Sequence, residues 1–246
     1  MIEQTPLYKG EIVLEFNSGN HQYRVVTKGR KFKVPSVTSI TGILDKPALI
    51  PWAVNSTLEV IKDALAPGQE YSEVYLEEVL KAAKDASQNI KREAAGRGTS
   101  IHKEVERSLR SDEGYVTDNP GASAILSFLG HSSITPECVE RKVYSRRHRY
   151  SGTLDCIGRD RDGGLVLLDW KTGKDVYPEF LLQTAAYVIA YEEETGDEIK
   201  RRIICVVKEN EVIPHEYGRE TLRGDFAAFL GAKRLYEQLS KIKKRK

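Results

Sequence analysis

Two carboxylates and a lysine, the kinds of side chain that phosphodiester hydrolysis requires, lie close together in the sequence: Asp155, Asp169 and Lys171. Two facing carboxylates repel each other, and a hard divalent cation with oxygen ligands between them removes that repulsion. Such a cation polarises a phosphate and acidifies a bound water, while a lysine stabilises the charge that develops on the attacked phosphate. The three residues therefore predict a metal-dependent hydrolytic site, provided that the fold brings them together.

The surrounding pattern predicts a β-hairpin that positions these side chains. Residues 153–158 and 165–170 are apolar-rich predicted strands, and Arg161-Asp162-Gly163-Gly164 supplies turn residues between them. Side chains two apart share a face of a strand, so Asp169 and Lys171 point the same way.

The length of the turn decides whether the two aspartates meet. Any odd-length loop centred on Asp162, for example a three-residue turn with Gly163 in the left-handed region, places Asp155 directly opposite Asp169, at a Cβ separation of roughly 4.5–5.5 Å. The ordinary alternative for a D-x-K sequence is a surface hairpin with solvated charges. Here D-W-K-T interrupts an apolar L-V-L-L run and a second acid lies in register, so the pattern favours a site.

Several short motifs together resemble the PD-(D/E)xK nuclease superfamily in its RecB-like branch, with bacteriophage exonucleases and the mitochondrial genome maintenance exonuclease as the nearest likenesses. The motifs are G-T-x-x-H-x-x-x-E (98–106), G-x-x-D (152–155), D-W-K-T (169–172) and Q-x-x-x-Y (183–187). The resemblance covers roughly residues 35–191. Leu154 stands where the superfamily's name has proline, and RecB-like members commonly lack that proline.

The resemblance implies a Mg²⁺ or Mn²⁺ site. Asp155 and Asp169 would hold the metal with help from His102 and the backbone carbonyl of Trp170. A lone histidine is more commonly an ordinary surface or core residue, but His102 falls on the histidine of the family's first motif. Two acids are secondary candidates, Glu106 one helical turn after His102 and Glu140 on the predicted strand before the hairpin.

The helix after the hairpin carries two further candidate catalytic residues. Pro178 predicts its beginning and Gly196 its end. Gln183 and Tyr187 lie on one stripe of this helix, where a glutamine would be wasteful as core filler. The resemblance implies that both residues orient the catalytic lysine or contact DNA.

The composition is that of a water-soluble globular protein. The chain has 246 residues, 40% hydrophobic and 30% charged, which is typical of a water-soluble domain with a sizeable core. It contains no run of about 18 apolar residues, so no membrane span is expected, and its first residues predict no signal or transit peptide. We expect a cytoplasmic protein of a bacterial or phage-infected cell. The three cysteines are widely spaced, so no iron–sulfur cluster of the four-cysteine kind is expected.

The N-terminal part is predicted to contain β-hairpins and helices. Short alternating strands cover residues 8–34, a core-facing helix covers 50–66, and a long charged helix covers about 72–95. Residues 96–99 interrupt that helix, and Thr99 is expected to cap the next one, 100–109. We expect one domain, with hairpins and a helical arch in 1–95 and the catalytic core in 96–246.

A net charge of +2 does not by itself indicate a nucleic-acid binder, so basic surface must arise locally. The candidate nucleic-acid contacts are Arg97, Ser36, Thr38, Arg146, Arg147 and Arg149. Arg97 lies at the expected helix start, where backbone N–H groups could hold a phosphate. Ser36 and Thr38 lie in a P-S-V-T stretch like that near the bound strand in the resembled enzymes, although Ser36 could simply cap a helix.

These observations predict an α/β fold with a mixed central sheet flanked by helices, a restriction-endonuclease-like core. The expected function is a divalent-metal-dependent DNA exonuclease that prefers single-stranded or free-ended DNA in replication, recombination or repair. A structure-specific or Cas4-like endonuclease is one alternative, and a non-catalytic DNA-binding recombination accessory is another. A recombinase or a single-strand-binding protein is a candidate partner, and a membrane is not.

Overall fold

Four short strands near the N-terminus form an antiparallel meander in the computed structural model, which describes residues 1–111 and 116–245. They are β1 (Ile2–Leu7), β2 (Ile12–Asn17), β3 (Gln22–Thr27) and β4 (Arg30–Val34). Alternating side chains on one face form an apolar cluster that includes Leu14, Val25 and Tyr144 of the next sheet. The Tyr23 hydroxyl also lies 2.8 Å from Thr153 Oγ1, so this meander is anchored close to the predicted hairpin.

The predicted hairpin forms the middle of a five-stranded mixed sheet with the order β5-β6-β7-β8-β9. The strands are β5 (Thr135–Ser145), β6 (Tyr150–Arg159), β7 (Leu165–Lys171), β8 (Ile199–Val207) and β9 (Val212–Gly218). Strands β7 and β8 are parallel, while the other neighbours are antiparallel. The mixed central sheet confirms the predicted α/β class.

The turn of the hairpin has the predicted register. Cys156 pairs with Leu168, so the same register continued by one residue places Asp155 opposite Asp169. Gly163 has φ +80°, in the left-handed region where a residue without Cβ is favoured. Both Asp162 N–H and Gly164 N–H donate to the side chain of Asp160, which stabilises the turn.

The helices of the described residues are α1 (Val37–Thr41), α2 (Leu49–Ala64), α3 (Glu73–Arg110), α4 (Pro120–Ser132), α5 (Pro178–Thr195) and α6 (Arg219–Lys243). Helices from the unit of the central sheet cover both of its faces. Leu165 and Leu167 of β7 pack in a cluster with residues of α1, α5 and α6. Val166, Leu168 and Trp170 point to the other face and pack with α4 and the C-terminal part of α3. The alternation predicted for β7 is therefore confirmed.

The chain separates into two compact units. One comprises Met1–Leu44 with Ile101–Lys246, and the other comprises Asp45–Ser100. The predicted division placed the N-terminal strands with the helical segment, whereas in the structure those strands belong to the unit of the central sheet. No helix in the described ranges is long and apolar enough to cross a membrane.

The smaller unit contains α2 and most of α3. The prediction that residues 96–99 interrupt the long helix is wrong, because α3 continues through both glycines. Thr99 does not cap a helix start, since its hydroxyl donates to the carbonyl of Ala95 one turn earlier, at 3.0 Å. The prediction that α2 faces a core is not met at Val54 and Leu58, which are 52% and 45% exposed.

Candidate metal and phosphodiester site

Asp155 lies on β6 in the middle of the sheet, with its carboxylate almost completely buried. Its Oδ2 accepts a hydrogen bond from the backbone N–H of Trp170 at 2.7 Å. That bond joins β6 to β7 just beyond the last regular pair of the ladder, and it fixes the direction of the carboxylate. Trp170 thus contacts this site through its N–H group, and the metal contact that the resemblance implies for its carbonyl stays a prediction.

Three potential metal ligands from three elements converge at Asp155. His102 on α3 has its Nδ1 3.0 Å from Glu140 Oε1 of β5 and 3.7 Å from Asp155 Oδ1. One ligand atom from each of the three residues lies within 4.8 Å of the others. His102, Glu140 and Asp155 therefore form a group that could hold a metal ion. Glu140, a secondary candidate in the sequence, belongs to this group.

The backbone of β5 is distorted where Glu140 faces Asp155. Glu140 has φ +49°, an unfavourable conformation for a residue with a Cβ, while Val139 and Arg141 on either side pair regularly with β6. Left-handed non-glycine residues cost on the order of 1–3 kcal/mol and persist where surrounding structure imposes them. The distortion lies at a residue whose carboxylate contacts His102, so it is part of how this group of ligands is arranged.

Asp169 and Lys171 form a second part of the site on β7. The Lys171 ammonium lies 2.5 Å from Asp169 Oδ2, and the Asp169 side chain is fully buried. Gln183 on α5 donates to Asp169 Oδ1 at 3.3 Å and to the Tyr187 hydroxyl at 3.3 Å. The predicted stripe of Gln183 and Tyr187 therefore reaches the carboxylate, and the amide holds it opposite the lysine.

A glycine lets Tyr187 approach the sheet. A Cβ on Gly152 would lie 2.6 Å from Tyr187 Cε1, which is closer than real Cβ contacts come. The first residue of the G-x-x-D motif is thus explained by the tyrosine of the Q-x-x-x-Y motif. The two motifs contact each other through the ring.

The electrostatics of His102 reflect the carboxylates around it. Burial disfavours the charged imidazolium, but the negative charge of Asp155 and the hydrogen bond and charge of Glu140 outweigh burial and raise the pKa of His102 to about 9. Burial raises the pKa of Asp155, and the nearby charges of His102 and Lys171 oppose that rise. A protonated His102 supplies positive charge at a place where the carboxylates require it.

The pKa values of Asp169 and Lys171 are also raised above their usual values. Burial raises the pKa of Asp169 to about 6, although Lys171 opposes the rise. Burial favours the neutral form of Lys171, yet Asp169 and Asp155 outweigh it and raise the pKa of the ammonium above its usual value. A lysine that stays charged while buried between acids is suited to stabilise an anion brought into the site.

The other sequence candidates are placed as follows. Glu106 forms an ion pair with Arg110, at 3.0 Å one turn further along α3, and is outside the group of potential ligands. Ser36 is buried and its hydroxyl accepts from the N–H of Ser39 at 3.0 Å, so it caps α1, while Thr38 is exposed. Capping was the structural alternative for Ser36, and its hydroxyl is occupied in that role.

The basic candidates divide by the contacts they make. Arg146 forms an ion pair with Glu11 and lies over the Tyr8 ring, 4.2 Å from its centroid. Arg147 and Arg149 have exposed side chains, and Arg149 lies over the Phe32 ring at 5.6 Å. Arg97 is exposed in the smaller unit and lies within α3, so the expected phosphate site at a helix start there is wrong.

Comparisons with known proteins leave the family open. No family model and no curated protein matches this chain. A solved structure, the crystal structure of SSO0001, is similar over 78% of this chain and 86% of that chain, with 12% sequence identity and a TM-score of 0.35. A likeness at that TM-score carries no argument about function.

One residue beside the site was not singled out in the sequence. The ring of Phe180 on the first turn of α5 lies 5.2 Å from Lys171 Nζ. Its position three residues before Gln183 places it on the stripe that carries Gln183 and Tyr187, which is the signal that could have identified it.

Proposed function

We propose that this protein is a divalent-metal-dependent nuclease that hydrolyses phosphodiester bonds of DNA. The observation that carries the proposal is the convergence of His102, Glu140 and Asp155 beside the buried pair of Asp169 and Lys171. Carboxylates that lie this close together gain little in a protein that only binds DNA, because they repel its phosphates. They are useful where a cation must be held against a phosphate.

The donor set fits a divalent cation. One imidazole nitrogen of His102, which releases its proton when the ion binds, and two carboxylate oxygens would hold it, with Asp169 as a further acid across the hairpin. Asp169 Oδ2 is buried against the Lys171 ammonium at 2.5 Å, so this acid already has a positively charged partner beside the group of His102, Glu140 and Asp155. Mg²⁺ prefers oxygen ligands alone, and an imidazole is a softer donor, so this set favours Mn²⁺ over Mg²⁺. When bound, such an ion polarises a phosphate and lowers the pKa of a coordinated water.

The residues of the chain have separable tasks in this proposal. The Lys171 ammonium orients the attacking water and stabilises negative charge that develops on the phosphate oxygens. Gln183 holds the carboxylate of Asp169 through its amide, and Tyr187 supports that amide. The hydrogen bond from the Trp170 N–H keeps one oxygen of Asp155 fixed, so its other oxygen remains directed toward His102.

The resemblance to RecB-like nucleases supports the finer proposal of an exonuclease with a restriction-endonuclease-like core, acting on single-stranded or free-ended DNA. Products with 5′-phosphate and 3′-hydroxyl ends are implied by the same resemblance. A mixed sheet with helices on both faces is compatible with such a core.

The test is cleavage of end-labelled single-stranded and duplex DNA with Mn²⁺, Mg²⁺ or EDTA. We expect cleavage with Mn²⁺, less with Mg²⁺ and none with EDTA. If the protein binds the DNA but leaves it uncleaved with every metal, the nuclease proposal is wrong and the non-catalytic DNA-binding accessory takes its place.

Covalently closed single-stranded circles separate the two nuclease alternatives. An end-dependent enzyme leaves the circles intact and degrades the same sequence after linearisation. Equal rates on circles and linear strands would show an endonuclease.

A further inference from the structure

Helix α5 carries a continuous stripe of site residues that runs from the core to the surface. Phe180, Gln183 and Tyr187 are spaced by three and four residues, so they share one face of the helix. Gln183 and Tyr187 are buried, whereas Phe180 at the helix start is partly exposed. The stripe thus ends with an aromatic ring that is open to solvent beside Lys171.

A second aromatic ring lies next to Phe180. The Tyr177 ring packs edge-on against it, with ring centroids 5.5 Å apart, and 41% of Tyr177 is exposed. Tyr177 is the residue immediately before α5, and its carbonyl accepts from the Phe180 N–H at 2.9 Å. Gly173 lies close to the same ring, since a Cβ on it would be 3.6 Å from Tyr177 Cε2. Helix start and preceding loop therefore hold both rings in place.

Core packing does not account for these rings. Neither Tyr177 nor Phe180 belongs to the apolar clusters formed by the described residues. Phe180 instead contacts the Lys171 ammonium, at 5.2 Å from its ring centroid. An aromatic surface that opens to solvent within contact distance of a catalytic cation is suited to a ligand that combines an anion with a flat ring.

We propose that Tyr177 and Phe180, whose ring planes lie 80° apart, form a platform in which an unpaired nucleobase stacks on one ring and meets the edge of the other while its own phosphate lies at Lys171. The inference rests on the proposed nuclease function and specifies the substrate as DNA with an unstacked base at the scissile position. Aromatic stacking accepts every base, because each has a π-face. In a duplex both faces of a base are covered by its neighbours, so the platform selects single strands or frayed ends.

A purely structural role for Phe180 makes a different prediction. If the ring only shields Lys171, its loss affects every substrate equally, whether or not a base is present. If the ring stacks on a base, its loss matters only when that base is there. An abasic nucleotide therefore separates the two roles, because it keeps the phosphate and sugar and removes only the base.

The experiment measures binding of single-stranded oligonucleotides to Asp169→Asn protein with Mn²⁺, in which cleavage is stopped. Tyr177→Ala and Phe180→Leu are added separately; leucine keeps bulk and removes the π-face. Fluorescence anisotropy gives Kd for the intact strand and for strands with one abasic nucleotide at successive positions. Ile213→Ala, at a residue 39% exposed on β9, is the control with similar exposure.

We expect each aromatic substitution to weaken binding of the intact strand by about 5- to 150-fold, the scale of one stacked base. At one position, an abasic nucleotide should weaken DNA binding by the Asp169→Asn parent by a similar factor. The aromatic variants should bind the strand that is abasic at that position almost as tightly as the parent does. Ile213→Ala should bind like the parent.

Equal losses on intact and abasic strands at every position, or no loss at all, would overturn the platform. If the wild-type protein cleaves DNA in that case, the proposed function stands and only this inference fails. If the wild-type protein neither binds nor cleaves any DNA, both fail.

Discussion

Replacing Lys171 with methionine removes the ammonium that compensates a fully buried carboxylate. The ammonium lies 2.5 Å from Asp169 Oδ2, and only 16% of the lysine side chain is exposed, so solvent screens the pair little. Removing one partner of a buried ion pair typically costs about 3–5 kcal/mol in the free energy of unfolding, because the other charge is left uncompensated. Methionine preserves much of the volume, so the loss should come from charge and not from a cavity.

The cost should depend on pH with a definite sign. Burial already raises the pKa of Asp169 to about 6, and loss of the ammonium raises it further. A carboxyl group whose pKa is higher in the folded than in the unfolded state contributes stability to the protein at low pH. The protein loses that contribution as pH rises through the folded-state pKa. Without metal, the variant should therefore be about 3–5 kcal/mol less stable than wild type at pH 8, with a smaller difference at pH 5.

Urea unfolding in EDTA at both pH values measures this, with Asp169→Asn/Lys171→Met as the matched double variant. Neutralising both partners should recover most of the lost stability. Cleavage by the single variant should fall about 10²- to 10³-fold while Mn²⁺ affinity by calorimetry stays close to wild type. An equal stability loss at pH 5 and pH 8, with no recovery in the double variant, would refute the idea that Lys171 compensates Asp169.

Three further predictions concern the surroundings of the site. Glu140→Gln should lower the pKa of His102 from about 9, because one of the two acids that raise it becomes neutral; NMR titration of the imidazole checks this, and an unchanged midpoint would contradict it. Gly152→Ala should destabilise the protein by about 1–3 kcal/mol and reduce activity, because the added methyl displaces Tyr187; thermal unfolding and cleavage assays report both effects, and wild-type values in both would count against the contact. Arg149→Ala should reduce the slope of log affinity for single-stranded DNA against log salt by about 0.7, whereas an identical slope would remove it from the DNA-contacting surface.

The arrangement of the hairpin could be predicted from local chemistry. The turn residues fix an odd loop with Gly163 in the left-handed region, and the alternation of side chains then determines the faces of β7. Register and facing are short-range properties, so a single sequence contains enough information for them. The register that follows from an odd-length loop centred on Asp162 is the one observed, and continued one residue past Cys156 and Leu168 it places Asp155 across from Asp169.

The continuity of α3 could not be predicted in the same way. Gly96 and Gly98 each cost roughly 1 kcal/mol relative to alanine in a helix, which is too little to end a long helix whose other contacts support it. Ile101, just beyond them, packs in the apolar cluster on one face of the central sheet. Tertiary packing outweighed the local signal, so Thr99 became an internal helix residue.

The importance of Glu140 and the roles of the basic residues also depended on the fold. Glu140 has a left-handed backbone between two residues that pair regularly with β6, and no sequence pattern encodes that. Arg146 could not be separated from Arg149 by sequence, because its partner Glu11 is far away in the chain.

The central claim is tested most directly by comparing cleavage and binding in Asp169→Asn. Asp162→Asn at the exposed tip of the same hairpin makes the same charge change away from the site and is the control. With Mn²⁺ and end-labelled single-stranded DNA, the Asp169→Asn protein should show no cleavage while binding DNA as tightly as wild type or slightly more tightly, and the Asp162→Asn protein should cleave normally. An Asp169→Asn protein that retained a tenth of wild-type turnover would contradict the assignment of this carboxylate to a metal-dependent nuclease site.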